Sequence, residues 1–359
     1  MSNTNLTIKD YFSERLKLIL SGHDITREEA RQCLIYLLDH RLGMANDVCF
    51  GALFAALQAK GPTIQEVAGL MDAVISYDRI PVEIDRRFST PLCGIIGSGK
   101  DDLQTFNVSS ISAVIAAAAG VRVLKNGSRA EASIAGTTDV FEALGVNVLR
   151  RDRELLEYTI NNLNLGFCDA APYFPKMVKE YLGKYYFVHP LSFILPVASG
   201  VTFDRVLFGL ANNDTEFTAR LLQALGYDNS MVVNGHDGEG RNLDEISNIG
   251  PTKITEIRNG EIKTREISPG DLGFTTANYS DIKNGNSVAE NAEIFLNLIS
   301  GKDTTPRKDI VLMNSGALIY ISGMVNSITD GICIAAETIN TGKAAKLLVD
   351  FIEVFRHTK

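Results

Sequence analysis

Residues 91–124 read PLCGIIGSGKDDLQTFNVSSISAVIAAAAGVRVL, and this stretch decides the fold. Pro91–Gly97 is a short apolar run that ends in glycine. A loop follows, Asn107–Ala119 then gives a helix of small residues stopped by Gly120, and Val121–Leu124 is strand-like again. Strand, loop, helix, strand is the alternation of α/β architecture. Downstream, Thr137–Leu144 reads as a helix ending at Gly145, followed by Asn147–Leu149 as the next extended piece. Further strands are expected at Arg205–Phe208, Ser230–Asn234 and Thr252–Arg258. Asn259-Gly260, between Lys253–Arg258 and Glu261–Arg265, predicts a hairpin. The end of the chain reads as helices over Asp309–Ser327 and Thr329–Phe355, with a break at Gly342.

Before Pro81 the texture is different. Asp24 or Thr26 caps a helix over Glu28–His40, and Asn46–Lys60 forms another, stopped by Gly61-Pro62. Thr63 and Glu66 make a capping box for a third, running to about Ser76. No strand-like alternation interrupts this region, so it reads as a small helical bundle.

Composition narrows the function classes. The chain has 359 residues, 45% of them hydrophobic, enough for one large or two modest domains. A net charge of -8 argues against a sequence-independent nucleic-acid coat. The five cysteines, Cys33, Cys49, Cys93, Cys168 and Cys333, are scattered with no CxxC pair. That spacing supports neither a zinc knuckle nor a disulfide framework and points to a reducing cytoplasm. The polar N-terminal residues lack a signal-peptide core, and the apolar runs 111–119 and 191–201 are too short to span a bilayer. The five histidines show no ligand spacing. His189 lies in an apolar run and is expected to pack in the core; His236 lies near an acidic pair.

Three segments carry chemistry. In Gly97–Ser110, glycines let backbone N–H groups converge and a helix beginning near Ser109 adds its positive end, which together make an anion site. Asn107, Ser109 and Ser110 add donors, and Asp101 can hold a ribose hydroxyl. An ordinary strand-to-helix turn is the competing reading. Gly94–Lys100 also fits the GxxxxGK half of a P-loop, but Asp101 stands where the magnesium-binding Ser or Thr belongs. Lys125-Asn-Gly-Ser-Arg129 reads as a cationic loop at a strand end, with Gly136 opening the next helix. This is a second anion-binding opportunity on the same sheet edge, where open α/β sheets bind ligands. Solvated loop charge is the plainer alternative. Asp244-Glu245, just after a strand, suits a hard cation such as magnesium; an acidic helix start is the alternative.

Taken together, GSGKDDLQTFNVSS, KNGSRAEASIAGTTDVFEALG and NLDEISNIGPTKITE resemble the motifs of the anthranilate phosphoribosyltransferases, whose wider group includes pyrimidine nucleoside phosphorylases. The resemblance extends to ALQAKGPTIQEVAGLMDA, VLMNSGALIYISG and INTGKAAKLL, nearly end to end. It implies a helical domain of residues 1–80 with a helical insertion at about 170–195. Residues 81–169 and 196–359 then form a large α/β domain with a central mixed sheet flanked by helices. It also implies a homodimer through the helical domain; the short apolar runs and the acidic charge speak against a membrane and against a nucleic-acid partner. The activity implied is transfer of phosphoribose from phosphoribosyl pyrophosphate (PRPP) to an aromatic or nitrogenous acceptor, with Mg2+ and release of pyrophosphate.

By the same resemblance, Gly97, Ser98, Gly99, Asp101, Thr105, Asn107, Ser109, Ser110, Lys125 and Ser133 bind PRPP. Asp244 and Glu245, with Ser109, hold magnesium, and no catalytic residue is assigned. The acceptor side is implied to be Asn126, Ser128, Phe174 and Lys179, and it departs from the family. Asn126 and Ser128 replace the family's loop His and Asn. Phe174-Pro-Lys-Met177 replaces His-Pro-Ala-Met, and Lys179 stands at best for the arginine that meets the anthranilate carboxylate. Leu195-Pro-Val197 is at best the family's Gly-Pro-Leu. Lys100 and Asp102 also depart from the pattern, and the loop before Asp244 looks longer. The acceptor therefore need not be anthranilate. Two other readings stand beside this one: a nucleoside phosphorylase-like enzyme, and a non-catalytic binding protein for nucleic acid or another ligand.

Overall fold

The computed structural model describes residues 7–85, 89–130, 134–150, 152–181 and 187–357. The chain divides into two compact units. The first comprises Met1–Pro81, Ala171–Gly200 and Arg220–Gly226; the second comprises Val82–Ala170, Val201–Ala219 and Tyr227–Lys359.

The first unit opens with helices α1 (Ile8–Leu20), α2 (Arg27–Leu38), α3 (Asn46–Lys60) and α4 (Ile64–Ala73). Thr7, Thr26 and Thr63 each accept from the N–H three residues on, with Asp10, Glu29 and Glu66 closing reciprocal boxes. Each box satisfies N–H groups that the helix itself leaves open. Glu66 also accepts from the Ile25 N–H at 3.0 Å and from Lys60 Nζ at 2.8 Å, so one cap ties two helix starts together.

The second unit begins with β1 (Leu92–Gly97), α5 (Val108–Ala118), β2 (Arg122–Gly127), α6 (Thr137–Ala143), α7 (Arg153–Leu163) and β3 (Leu165–Asp169). After α8 (Pro175–Tyr181), which lies in the first unit, come β4 (Arg205–Gly209), α9 (Thr215–Ala224, whose residues from Arg220 on are counted with the first unit), β5 (Asn229–His236), β6 (Asn242–Leu243), β7 (Thr252–Arg258) and β8 (Glu261–Ile267). Helices α10 (Tyr279–Ile282), α11 (Val288–Ile299), α12 (Pro306–Ile321), α13 (Ile328–Asn340) and α14 (Lys343–His357) complete it. The sheet order is β3-β2-β1-β4-β5-β7-β8, with β6 paired to β5. Strands β3 to β5 along that path run parallel, whereas β7 and β8 run antiparallel, so the sheet is mixed as expected. The chain leaves β1 toward β2 on one side and reaches β4 on the other, which puts a switch point between β1 and β4. Among the described residues no single helix is long and apolar enough to cross a membrane.

Several local readings need correction. Asn147–Leu149 is a turn: the Asn147 side chain accepts from the Leu149 N–H at 3.2 Å, a local bond that competes with a strand ladder. Strand β2 continues through Lys125, Asn126 and Gly127, because they pair in parallel with Phe167, Cys168 and Asp169. Only Ser128 and Arg129 of that segment form the loop. Asp244-Glu245 does not begin a helix; the pair follows β6 directly. Asn259 (φ 50°) and Gly260 (φ 80°) do form the β7–β8 hairpin turn.

Candidate functional site

The loops after β1 and β6 bring the carboxylates of Asp101, Asp244 and Glu245 together, with one oxygen from each within 4.8 Å of the others. Three glycines at strand ends make this approach possible. A Cβ on Gly97 would lie 2.5 Å from Asp244 Oδ2, one on Gly209 would lie 1.5 Å from the Asp244 carbonyl oxygen, and one on Gly235 would lie 2.5 Å from the Glu245 carbonyl oxygen. The sheet edge is therefore bare where the acidic loop crosses it.

Donors then fix the loop. The Gly99 N–H donates to Asp244 Oδ2 at 2.8 Å, and Gly99 holds φ +67°, where a side chain is strained. Ser98 Oγ accepts from the Ala211 N–H at 2.9 Å and lies 3.5 Å from Asp244 Oδ2. On the far side Asn314, buried in α12, clamps Ile246 at both backbone groups. Its Oδ1 accepts from the Ile246 N–H at 2.9 Å and its Nδ2 donates to the Ile246 carbonyl at 3.0 Å.

Opposite the carboxylates stands Lys125, only 3% exposed, its Nζ donating to the Asn126 carbonyl at 2.6 Å. Burial pulls its pKa down to about 8, against the nearby charges of Asp244 and Glu245, which raise it. Burial also raises Asp101 and Glu245 well above the usual carboxylate range, and the Asp244 charge adds to both; Asp244 itself is raised by burial. Among the described residues, Asp101 Oδ1 and Glu245 Oε2 are buried with no hydrogen-bond partner. Buried, crowded and unpaired carboxylate oxygens are costly unless something cationic satisfies them.

The remaining expected donors divide. Asn107 stands at the N-terminal boundary of α5 without a side-chain cap, its Nδ2 donating instead to the Ala135 carbonyl at 3.3 Å, and Ser109 is half-buried in the first turn. Ser110 is fully buried with Oγ 3.2 Å from Thr137 Oγ1, so it stitches α5 to α6. Thr105 forms a backbone bridge with Lys283. Ser133 lies outside the described residues. The second anion-binding opportunity, at the start of α6, is filled from within. Asp139 Oδ2 accepts from the N–H groups of Ala130 (2.9 Å) and Gly136 (3.0 Å), and Arg129 bridges Asp139 and Glu142, both at 2.9 Å.

Of the expected acceptor residues, Asn126 is buried on β2 and Ser128 is exposed in the loop after it. Phe174 is buried within the first unit, and the side chain of Lys179 lies outside the described residues. In that unit Lys176 Nζ donates to Asp39 at 2.5 Å, and the N–H groups of Lys176 and Met177 donate to the buried Asp78. His189 packs flat on Phe54 at 5.2 Å and accepts from the Leu191 N–H through Nδ1, a packed role as expected. His236 Nδ1 accepts from the Gly238 N–H at 3.1 Å.

The reading from sequence passed over Asn314, Gly209 and Gly235. Asn314 is one polar residue in the apolar run IVLMNSGALIYI, and that contrast was the available signal. Gly209 ends an apolar strand, as Gly97 does, and Gly235 stands one residue before the end of β5.

Comparison with known proteins gives concordant results. Residues 89–345 match the glycosyl transferase family, a/b domain, and residues 13–77 match the glycosyl transferase family, helical bundle domain. The chain is 34% identical over 343 residues to the anthranilate phosphoribosyltransferase of Clostridium kluyveri, spanning 92% of this chain and 96% of that protein. The crystal structure of anthranilate phosphoribosyltransferase from Thermus thermophilus superposes with a TM-score of 0.84 at 28% identity, covering 95% of this chain and 99% of that one. The Saccharomyces cerevisiae enzyme in complex with PRPP and Mg has the same fold, with a TM-score of 0.84 at 22% identity and coverage of 98% and 99%.

Proposed function

The chain belongs to the anthranilate phosphoribosyltransferase family, and from that premise we propose that it moves phosphoribose from PRPP to an aromatic or nitrogenous acceptor, releasing pyrophosphate. The observation that carries this reading is the buried set Asp101, Asp244 and Glu245 facing Lys125 at the carboxyl edge of the sheet.

The donor set fits magnesium: three carboxylates converge and two of their oxygens are buried without a partner. Asp244 and Glu245, with Ser109, would hold the ion, which when bound neutralises charge on the departing pyrophosphate. The chain's own groups do the rest. The start of α5, with Ser109, presents donors to phosphate oxygens, while the Gly99 N–H and Ser98 hold Asp244 in place. Lys125 adds a cation in a water-poor setting, where its attraction to phosphate is strongest. Asp101 orients the ribose. The bond from C1 of the ribose to the acceptor nitrogen forms as the bond to pyrophosphate breaks, and the nitrogen then loses its proton. A neutral amine attacking a cation-like carbon needs positioning more than a strong base.

The acceptor is inferred from Asn126, Ser128, Phe174 and Lys179. Lys179 offers a point charge where the family's arginine offers a fork, and Asn126 and Ser128 carry shorter groups than the family's pair. This supports an acceptor that need not be anthranilate. Pyrophosphate release should be followed with PRPP and Mg2+ against anthranilate and a set of other aromatic and heterocyclic amines. The reading expects release that requires one of them. Release of a base that requires inorganic phosphate instead would replace it with the phosphorylase reading.

Assembly and setting follow the same inference. Leu20, Met44 and Val48 are exposed on the helical unit, and apolar side chains of this kind support a homodimer through that unit. Cys33, Cys49, Cys93, Cys168 and Cys333 are free thiols, which supports a cytoplasmic setting.

A further inference from the structure

We propose that Asp102, which contributes nothing to the carboxylate set itself, is a positioning residue for it. Its carboxylate latches the loop after β1 to the short strand that delivers Asp244. Asp102 Oδ2 accepts from both the backbone N–H and the side-chain Nδ2 of Asn242, each at 2.9 Å. The Leu103 N–H donates to the Asn242 carbonyl at 3.4 Å. Asn242 stands two residues before Asp244, so any movement of Asn242 is passed almost directly to the acidic pair.

The latch is anchored behind as well. Asn242 Oδ1 accepts from Asn234 Nδ2 at 3.1 Å, and the same Nδ2 donates to the Leu210 carbonyl at 2.8 Å. Asp102 is thereby connected to the ends of β4 and β5. The loop after β1 is joined to β6 through Asp102 and Leu103, both bonded to Asn242, and to the loop after β6 through Gly99, bonded to Asp244. Such joining has a physical purpose. Like charges in a poorly solvated site repel, and Asp101 lies on one loop while Asp244 and Glu245 lie on the other. Without a tie the two loops relax apart and the three oxygens no longer converge. Asp102 and the long loop before Asp244 are both departures from the family pattern, and the structure joins them in one device.

The inference rests on the magnesium and PRPP reading for its consequence, and on geometry alone for the latch, so two measurements separate them. The first is hydrogen exchange of the amides of residues 242–246 in the ligand-free protein. Asp102→Ala should accelerate it, and Asp102→Asn should restore it, because one oxygen accepts both bonds and an amide oxygen can replace it. The second is calorimetry with PRPP and Mg2+. Asp102→Ala should bind about fivefold more weakly, consistent with loss of two modest hydrogen bonds, and Asp102→Asn should bind as the parent does. Asn242→Ala should weaken binding too, and the Asp102→Ala/Asn242→Ala double variant should be little worse than either single one. Unchanged exchange in Asp102→Ala overturns the latch, and so does an Asp102→Asn variant as impaired as Asp102→Ala, which would assign the effect to charge. If exchange behaves as expected but the parent binds no PRPP, the latch stands and the functional reading falls.

Discussion

Glu245 is a carboxylate held where its charge is disfavoured, by burial first and by Asp244 second. A carboxyl whose folded pKa lies above its unfolded value binds its proton more tightly when folded. Its contribution to stability therefore falls as pH rises from the ordinary carboxylate range toward the raised folded value. Metal-free Glu245→Gln should accordingly be more stable than the parent at pH 7, by about 1 kcal/mol in urea melts with a chelator present. The advantage should fade near pH 4, where the carboxyl is protonated in both states; at pH 7 the same variant should lose the Mg2+ dependence of PRPP binding. Lys125 is displaced the other way: its folded pKa of about 8 lies below its ordinary value. Its burial costs stability below that pH, and the cost declines as pH rises through the alkaline range above it. Lys125→Met should lower kcat/KM for PRPP by about 100-fold, the order found when a buried donor to developing charge is removed. Lys125, Asp244 and Glu245 could be picked out in the sequence because charged residues beside strand ends are conspicuous. Arg129 was conspicuous for the same reason, and Ser110 as a hydroxyl at a helix start, yet Asp139 with Glu142 engages the first and Thr137 the second. Those partners lie far enough along the chain that only folding pairs them.

Three strand ends carry the glycines that the acidic loop requires, and one helix carries its clamp. Gly209→Ala would place a Cβ 1.5 Å from the Asp244 carbonyl oxygen, against backbone that has no flexible end to yield. It should destabilise the protein by about 3 kcal/mol and abolish Mg2+-dependent PRPP binding, read by thermal melts and calorimetry. Asn314→Ala would leave the Ile246 N–H and carbonyl buried and unpaired, a loss of about 2 kcal/mol in a urea melt. Elements with strong punctuation were legible from sequence. β1 ends in glycine, α5 is stopped by Gly120, and Asn259-Gly260 turns the β7–β8 hairpin. β3 was not, because LGFCD is only five residues and its predecessor α7 ends on Asn164 in a left-handed conformation without a glycine. α11 also escaped notice, lying in a stretch whose neighbours are short turns and caps.

The whole molecule combines a helical unit with a mixed-sheet unit, and both were legible because the pattern changes from purely helical to alternating strand and helix near Pro81. The residues expected on the acceptor side do not share a unit: Asn126 and Ser128 fall in one and Phe174 in the other. If the helical unit makes a homodimer, Met44→Asp should shift the protein toward monomer in sedimentation, with PRPP affinity in the other unit preserved. The central claim is that Asp101, Asp244, Glu245 and Lys125 form a magnesium-dependent PRPP site. It is tested most directly by titrating PRPP into metal-free protein with and without Mg2+, in the parent and in Asp244→Asn/Glu245→Gln. Binding should appear with Mg2+ in the parent and be lost in the double variant. Equal binding without Mg2+, or undiminished binding in the double variant, would contradict it.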